Sequence, residues 1–332
     1  MKQPKIVSIG GGTGSFTLLQ QFKIWTPNIT AIVNMSDDGG SSGQLRDELG
    51  VLPPGDVRQC LVALSNHPDA RELFDYRFGG DGKLASHSAG NIILSALELQ
   101  TGSFTKAIKI ASDFLKITGK VVPVTEDSHK LVLVDGDKVV DGEFKISKHA
   151  IKHKGARLHL EPEAVINKEA NSAIEQADMV IIAPGNFYGS LLPALSVKGM
   201  AEALNSTKAK VVMIANLVNK PQQALNWHVV DYVLEMESYI GKNTIDIVLF
   251  NTELPSERLL KYYAEDKEFP VLINPKRFSE ISARSIGAKL VASNMLKQNP
   301  NDNFIRRTLI RHDASEVTRQ LAKLIESKAH TI

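Results

Sequence analysis

The chain has 332 residues, 43% of them hydrophobic, which is enough apolar material for a sizeable core. Its 39 basic and 37 acidic residues leave a formal net charge of +2, so no overall positive charge favours nucleic acid or an anionic membrane surface. The single cysteine, Cys60, excludes an internal disulfide and a multi-cysteine zinc site.

The amino-terminal residues reach a glycine cluster too soon to form the apolar core of a signal peptide. No later apolar stretch is long enough to span a bilayer. We therefore expect a cytoplasmic protein without a membrane span.

Short β-branched runs recur along the chain, and each is followed by small or polar residues and then by an apolar pattern of helical period. Runs such as 180–182 and 211–214 are apolar throughout, which is typical of strands covered by helices on both faces. The sequence therefore predicts an α/β fold with a Rossmann-like, doubly wound, mostly parallel sheet. The predicted strands are Lys5–Ile9, Thr30–Val33, Met179–Ile182, Lys210–Ile214, Ile245–Leu249 and Val271–Ile273.

The segment from about residue 121 to residue 160 has a different pattern. Two apolar runs, 130–134 and 138–140, flank the turn signal at 135–137, so we predict a small antiparallel β-rich insertion within a single domain of residues 1–332. Its four histidines are interleaved with lysines and lack carboxylate or cysteine partners at ligand spacing, which favours structural roles over a metal site. An amphipathic pattern over 314–327 predicts a terminal helix.

A glycine-rich loop follows the first predicted strand and leads into a helix. Glycine allows a ligand to approach the backbone closely, and the free N–H groups at a helix start favour a phosphate. The loop is neither a Walker loop nor a complete dinucleotide fingerprint, and a merely structural tight turn is the alternative. Its candidate ligand-binding residues are Gly10, Gly11, Gly12, Thr13 and Gly14.

A second polar loop follows the next strand and contains two adjacent carboxylates, Asp37 and Asp38. These could hold Mg²⁺ or accept hydrogen bonds from a sugar hydroxyl, while the glycine-serine backbone donates to an anion. An Asx turn with a helix cap is the alternative. The candidate ligand-binding residues of this loop are Asn34, Asp37, Asp38, Gly39, Gly40 and Ser41.

Two further loops precede helices. Asp56 could cap the first of these helices, and Arg58 in its first turn gains nothing from the helix dipole. Arg58 could pair with a carboxylate such as Asp38 or with a ligand phosphate, or it could be solvent-exposed. At the second helix, His87 and Asn91 could contact a ligand, although a lone histidine is more often structural.

A fifth loop follows the strand at 179–182, and Asn216 follows the next strand. Because parallel strands bring their carboxyl ends to one edge of a sheet, these loops should converge on a single ligand site. We expect a nucleotide-linked small molecule there. The candidate residues of the fifth loop are Gly185, Asn186, Tyr188 and Ser190.

The motifs at 10–14, 36–46, 53–58 and 87–91 together resemble those of the gluconeogenesis factor (YvcK-like) family. That family shares a superfamily with 2-phospho-L-lactate transferase (CofD), and the resemblance extends from residue 5 to about residue 313. It implies a Rossmann-like core, a UDP-sugar ligand such as UDP-N-acetylglucosamine, and a regulatory role in carbon metabolism and in cell-wall or cell-shape control. By position it also implies ligand contacts at Tyr263 and Arg311, for which a packed aromatic residue and a helix-capping segment are the alternatives.

Three segments depart from the usual family residues. Residues 183–190 stand where Gly-Pro-Gly-Ser-Leu-Tyr-Thr-Ser is common, Lys220–Ala224 replaces Gln-Pro-Gly-Glu-Thr, and Tyr232 takes the place of a histidine. The transferase branch of the superfamily moves a phosphoester group from a guanosine diphosphate donor to an alcohol with Mg²⁺. Because the glutamate is missing and a phenol is a poor base near neutral pH, we expect ligand binding without rapid turnover, and the catalytic residues stay unknown.

An NAD-dependent oxidoreductase is the third functional class. A ribose partner belongs at the tip of the second strand, but here that strand ends in Asn34 and the acids fall within the following loop. We therefore expect no NAD cofactor. We also expect a homo-oligomer.

Overall fold

The computed structural model of the chain describes residues 3–151, 155–292 and 309–329, apart from the side chains of Thr13 and of residues 327–329. The strands are β1 (Ile6–Gly10), β2 (Ile29–Val33), β3 (Lys120–Pro123), β4 (Lys130–Asp135), β5 (Lys138–Asp141), β6 (Arg157–Glu161), β7 (Met179–Ile182), β8 (Lys210–Ile214), β9 (Val218–Asn219), β10 (Ile247–Asn251), β11 (Phe269–Pro270) and β12 (Arg284–Ala288).

The helices connect these strands or cover them. They are α1 (Gly12–Trp25), α2 (Gly40–Leu49), α3 (Gly55–Leu64), α4 (Pro68–Asp75), α5 (Ala89–Thr101), α6 (Phe104–Leu115), α7 (Glu143–Lys148), α8 (Lys168–Glu175), α9 (Leu192–Leu195), α10 (Met200–Ser206), α11 (Val229–Ile240), α12 (Glu257–Glu265) and α13 (Ala314–Ala329). A π-helical turn covers Phe187–Leu191, and a 3₁₀ helix covers Pro275–Glu280.

The central sheet has seven strands in the order β12-β10-β8-β7-β1-β2-β3, and all neighbouring pairs are parallel. Every residue of β1 and β7 is buried, as expected for strands with helices on both faces. The chain order reverses between β1 and β7, so β2 and β3 lie on one side and the later strands on the other. The predicted doubly wound, mostly parallel α/β fold is confirmed, and this reversal is where such folds bind ligands.

A separate three-stranded antiparallel sheet, in the order β5-β4-β6, confirms the predicted small antiparallel region. Its predicted start at about residue 121 was too early, because β3 pairs in parallel with β2 and belongs to the central sheet. The apolar residues of β3 are compatible with either sheet, so only the pairing distinguishes them.

The other end of the central sheet also differs from the prediction. The segment 271–273 is not one of its strands, and only Leu272 forms an isolated bridge, to His228. The edge strand is instead β12, which the sequence analysis missed because its residues form no apolar run and are mostly exposed or half-buried. The predicted terminal helix corresponds to α13, which packs against α1. Among the described residues, no helix combines the length and apolarity needed to cross a membrane.

Candidate functional site

A cavity of about 500 Å³ lies at the carboxyl ends of β1, β7 and β8, at the point where the strand order reverses. Its walls come from the loops after these three strands, the turn at 220–224, helix α12 and the segment 309–312. The structure therefore brings together nine of the residues singled out in the sequence. These are Gly11, Gly12, Gly14, Gly185, Asn186, Ser190, Asn216, Tyr263 and Arg311.

Asp56 occupies the space beside the glycines at the start of α1. A Cβ atom on Gly11 would lie 2.2 Å from Asp56 Oδ2, and one on Gly12 would lie 3.2 Å from Oδ1. The Gly12 backbone N–H also favours the charged form of this carboxylate. The carboxyl group of Asp56, a residue of α3, therefore lies at the amino end of α1. The expectation that Asp56 caps its own helix was wrong, because the cap of α3 is Pro54.

The two adjacent carboxylates of the second loop have different partners. Asp37 Oδ1 accepts a hydrogen bond from the Gly39 N–H at 3.0 Å, whereas Asp38 Oδ1 accepts one from the Phe144 N–H at 2.7 Å. Burial raises the pKa of Asp37, and the charge of Asp38 raises it further. Over the described ranges, no three or more His, Cys, Asp or Glu side chains form a group suited to a metal ion. A Mg²⁺ site at Asp37 and Asp38 stays a prediction.

Glu143, on α7, is a third acidic group in this region, and it lies outside all of the motifs described above. Burial raises its pKa to about 7, and the charges of Asp37 and Asp38 act in the same direction. Burial also raises the pKa of Asp56 well above its usual range, and Asp37 and Glu143 add to that effect. A phosphate placed beside these carboxyl groups would need protons or a divalent cation to offset the negative charge.

The predicted residues Arg58, Asn91, Ser41 and His87 form a buried hydrogen-bonded chain outside the cavity lining. Arg58 Nε donates to Asn91 Oδ1 at 3.1 Å, Asn91 Nδ2 donates to Ser41 Oγ at 3.1 Å, and Ser41 Oγ lies 2.9 Å from His87 Nδ1. The carboxylate that pairs with Arg58 is Asp75, so the suggested pairing with Asp38 was wrong. This chain joins α2, α3 and α5 behind the acidic loop and so supports the loop's position.

The loop after β7 is held by two asparagines. Asn216 both accepts from the Gly185 N–H, at 3.2 Å, and donates to the Gly185 carbonyl, at 2.9 Å. Asn186 Oδ1 accepts from the Gly189 N–H at 3.3 Å, which stabilises the π-helical turn. The Gly189 carbonyl accepts in turn from Asn34 Nδ2 at 3.3 Å, and this contact joins the loops after β2 and β7.

Tyr188 differs from its neighbours in this loop. Its side chain is buried and packs against the rings of Phe187 and Trp227, so it belongs to the core beneath the cavity. Tyr232 lines the cavity, and its hydroxyl donates to Asn219 Oδ1 at 2.7 Å. Burial raises the pKa of Tyr232, which agrees with the expectation that this phenol is a poor base.

The far end of the cavity is formed by α12 and the segment 309–312. The Tyr263 hydroxyl accepts hydrogen bonds from the Leu309 N–H, at 2.7 Å, and the Ile310 N–H, at 3.1 Å. His312 Nε2 lies 3.1 Å from the Ala215 carbonyl, and burial lowers its pKa to about 4. Tyr263 therefore positions the segment that carries Arg311 into the cavity wall.

Comparisons with known proteins agree with this architecture. The model of a family described as 2-phospho-L-lactate transferase CofD matches residues 6–295. The putative gluconeogenesis factor of Thermotoga maritima is 39% identical to this chain, covering 97% of the chain and 98% of the relative. The gluconeogenesis factor of Bacillus subtilis is 36% identical, with 98% and 99% coverage. The chain belongs to the gluconeogenesis factor family.

The similarity also holds for the three-dimensional structure. A crystal structure of a Bacillus halodurans protein has a TM-score of 0.89 with this chain at 34% identity, covering 97% of this chain and 100% of the other. In this gluconeogenesis factor family member, the motifs at 10–14 and 183–190 lie at the cavity, and those at 53–58 and 87–91 contribute to the buried network behind it. Asp56 lies directly behind the glycines of the cavity wall, and Glu143 contacts Asn186 in that wall.

Proposed function

We propose that this protein binds a nucleotide-linked sugar of the UDP-N-acetylglucosamine type in the 500 Å³ cavity. In this proposal it acts as a cytoplasmic regulatory protein of carbon metabolism and of cell-wall or cell-shape control. The supporting observation is the convergence of three strand-end loops and the start of α1 on one cavity at the reversal of strand order. Its volume lies within the range of about 300–1,000 Å³ typical of small-molecule sites.

The charges around the cavity suggest how a diphosphate would be accommodated. Lys220 lines the cavity and lowers the pKa of Glu143 by its positive charge, and Arg311 lies in the wall at the other end. The carboxyl groups of Asp37 and Asp56 lie on the glycine-loop side, where a divalent cation would offset the repulsion of a phosphate. Ligand affinity should therefore increase with Mg²⁺, with Asp37 and Asp38 as its proposed ligands.

Calorimetric titration tests this proposal. The ligands are UDP-N-acetylglucosamine, UDP, GDP and NADH, each with and without Mg²⁺, and native mass spectrometry of freshly purified protein would reveal a retained ligand by its mass. We expect the UDP-sugar to bind most tightly and NADH to bind weakly or not at all. Lys220→Gln should weaken UDP-sugar binding by about 10-fold to 100-fold, since a hydrogen bond to a charged group is worth about 1.5–3 kcal/mol. Lys138→Gln, an exposed lysine in the β4–β5 hairpin, is the matched control. Preferential NADH binding, or no binding of any nucleotide-linked ligand, would contradict the proposal.

A transferase of phosphorus-containing groups is the second candidate. The observation that favours it is Glu143, because a carboxyl group whose pKa is raised to about 7 suits proton transfer near neutral pH. Incubation with UDP-sugars or guanosine diphosphate-linked donors, Mg²⁺ and a panel of alcohols, followed by an assay for released UMP or GMP, separates the candidates. We expect no multiple turnovers. Turnover that disappears in Asp38→Asn would assign the protein to the transferases instead.

A further inference from the structure

The antiparallel insertion reaches the cavity region through the short helix α7, and this helix contacts three loops that are far apart in sequence. The Phe144 N–H donates to Asp38 in the acidic loop, at 2.7 Å. The Glu143 side chain meets Asn186 in the loop after β7, at 3.1 Å. The Ile146 carbonyl accepts from Gln223 Nε2 in the turn at 220–224, also at 3.1 Å.

The contact with the loop after β7 is a closed set of hydrogen bonds. Ser147 Oγ donates to Glu143 Oε1 at 2.6 Å, and Asn186 Nδ2 approaches both Glu143 Oε1, at 3.1 Å, and Ser147 Oγ, at 2.8 Å. At its other end, the same asparagine accepts from the Gly189 N–H. Both ends of the Asn186 carboxamide are therefore held, one by its own loop and one by α7.

Glu143 also packs directly against the backbone of this loop. A Cβ atom at Gly189 would lie 2.2 Å from Glu143 Oε1, so the position tolerates no side chain while the carboxyl group is in place. The turn that follows Asn186 is π-helical, a wider and rarer turn than an α-helical one, and single π-turns occur often at functional sites. The contacts of α7 with Asn186 and Gly189 reach this turn from outside the loop.

We propose that Glu143 is a positioning residue that orients Asn186, and with it the loop 184–190. Through Glu143 the antiparallel insertion contributes to the geometry of the ligand site. This inference rests on the proposed function for its ligand, but not for its geometry. Gly185, Asn186 and Ser190 line the cavity, so a change in their loop changes the shape of the cavity wall. Loss of the Glu143 side chain removes one acceptor from Asn186 and leaves Ser147 Oγ without its own acceptor.

Three variants test the role of Glu143. Glu143→Ala removes the acceptor, whereas Glu143→Gln retains a carbonyl oxygen that can accept from both Ser147 and Asn186. Lys145→Ala is the matched control, because Lys145 is exposed on the same helix and forms its ion pair with the exposed Asp141. Thermal unfolding shows whether each variant is folded. Two further measurements follow: hydrogen exchange of the amides of 189–191 without ligand, and the affinity for UDP-N-acetylglucosamine.

In Glu143→Ala we expect at least tenfold faster exchange at the Gly189 amide and at least tenfold weaker ligand binding. Glu143→Gln should stay within about threefold of the parent in both measurements, and Lys145→Ala should match the parent. If Glu143→Ala does not fold, Glu143→Met replaces it, since it keeps most of the side-chain volume and still removes the carboxylate acceptor of Ser147 and Asn186. Unchanged exchange in the variant that loses the acceptor would overturn the proposal, as would exchange in Glu143→Gln as fast as in Glu143→Ala.

The ligand-free exchange measurement separates this inference from the proposed function. If the parent protein binds no UDP-sugar but Glu143→Ala still accelerates exchange at 189–191, the proposed ligand is wrong and the positioning role stands. If the parent binds the UDP-sugar and all three variants match it in both affinity and exchange, the positioning role is wrong and the ligand stands.

Discussion

Gly14→Ala is the substitution whose effect the structure defines most closely. Gly14 lies in the first turn of α1, where the helix passes directly over the loop after β7. A Cβ atom at this position would lie 2.0 Å from the Pro184 carbonyl oxygen and 3.4 Å from the Gly185 Cα. Both atoms belong to backbone, so neither can move away by a side-chain rotation.

The size of the effect follows from this distance. Carbon and carbonyl oxygen atoms approach to about 3.3 Å, so α1 and the loop would have to separate by about 1.3 Å. Overpacking of this kind costs about 1–3 kcal/mol, and the higher helix propensity of alanine returns less than about 1 kcal/mol in a first turn. We expect a net loss of about 2 kcal/mol in the free energy of unfolding. Because the two elements that separate both line the cavity, ligand affinity should fall by at least tenfold.

Chemical denaturation and calorimetric titration of the same preparation measure both effects. Gly79→Ala is the control, because a Cβ there has no neighbour within 4 Å and the residue does not have a positive φ. It should change the unfolding free energy by less than about 0.5 kcal/mol. If Gly14→Ala matched the control in stability and in affinity, the close packing of α1 on the loop after β7 would be refuted as a determinant of the site.

Three further predictions concern charged groups. Arg58→Met should destabilise the fold by about 1–3 kcal/mol in chemical denaturation, because it leaves the buried Asn91 Oδ1 without its donor and removes the ion pair with the exposed Asp75. A loss below about 0.5 kcal/mol would contradict that role. Without ligand and divalent cations, the contribution of Glu143 to the free energy of unfolding should fall as pH rises from about 5 to about 8, since the folded chain keeps a proton on Glu143 that the unfolded chain releases near its ordinary pKa of 4.5. This decrease is at most about 3 kcal/mol between about pH 5 and about pH 8, and Glu143→Gln should lack it in melts recorded across that range. An equal dependence of unfolding free energy on pH in the parent and in Glu143→Gln would refute the raised pKa. Asp38→Asn should abolish the Mg²⁺ dependence of UDP-sugar affinity. It should cost little stability, since the amide oxygen of the new side chain can still accept the hydrogen bond from the Phe144 N–H. The control Asp47→Asn, at an exposed site, should preserve the Mg²⁺ dependence.

The glycine loop shows how far a motif can be interpreted from sequence. Its position after the first strand and before a helix correctly placed it at the carboxyl edge of the sheet and on the cavity wall. The residue types do not reveal that Asp56, more than 40 positions later, packs against Gly11. Part of the space beside the glycine loop, where the motif predicts a phosphate, is therefore filled by the carboxyl group of Asp56.

Arg58 and His87 show where residue types alone leave two interpretations open. Polar residues at helix starts are compatible with a ligand site and equally with a buried network, because both need hydrogen-bonding groups near a loop. Only the packing of α3 against α5 decides between them, and it places both side chains in the network behind the acidic loop. Glu143 was missed for a related reason, since it follows a β-hairpin and belongs to no recognisable motif.

By itself the sequence determined the fold class, the family and the edge of the sheet at which the polar strand-end loops meet. These properties follow from local patterns: apolar runs of strand length, glycine and polar residues at strand ends, and the spacing of motifs within a few residues. The tertiary structure alone decided which residues line the cavity, which carboxyl groups face one another, and that α7 of the antiparallel insertion holds the loop after β7. Those properties depend on contacts between segments tens to more than a hundred residues apart. Burial and proximity in space, which no local pattern encodes, set both the raised pKa of Glu143 and the position of Asn186.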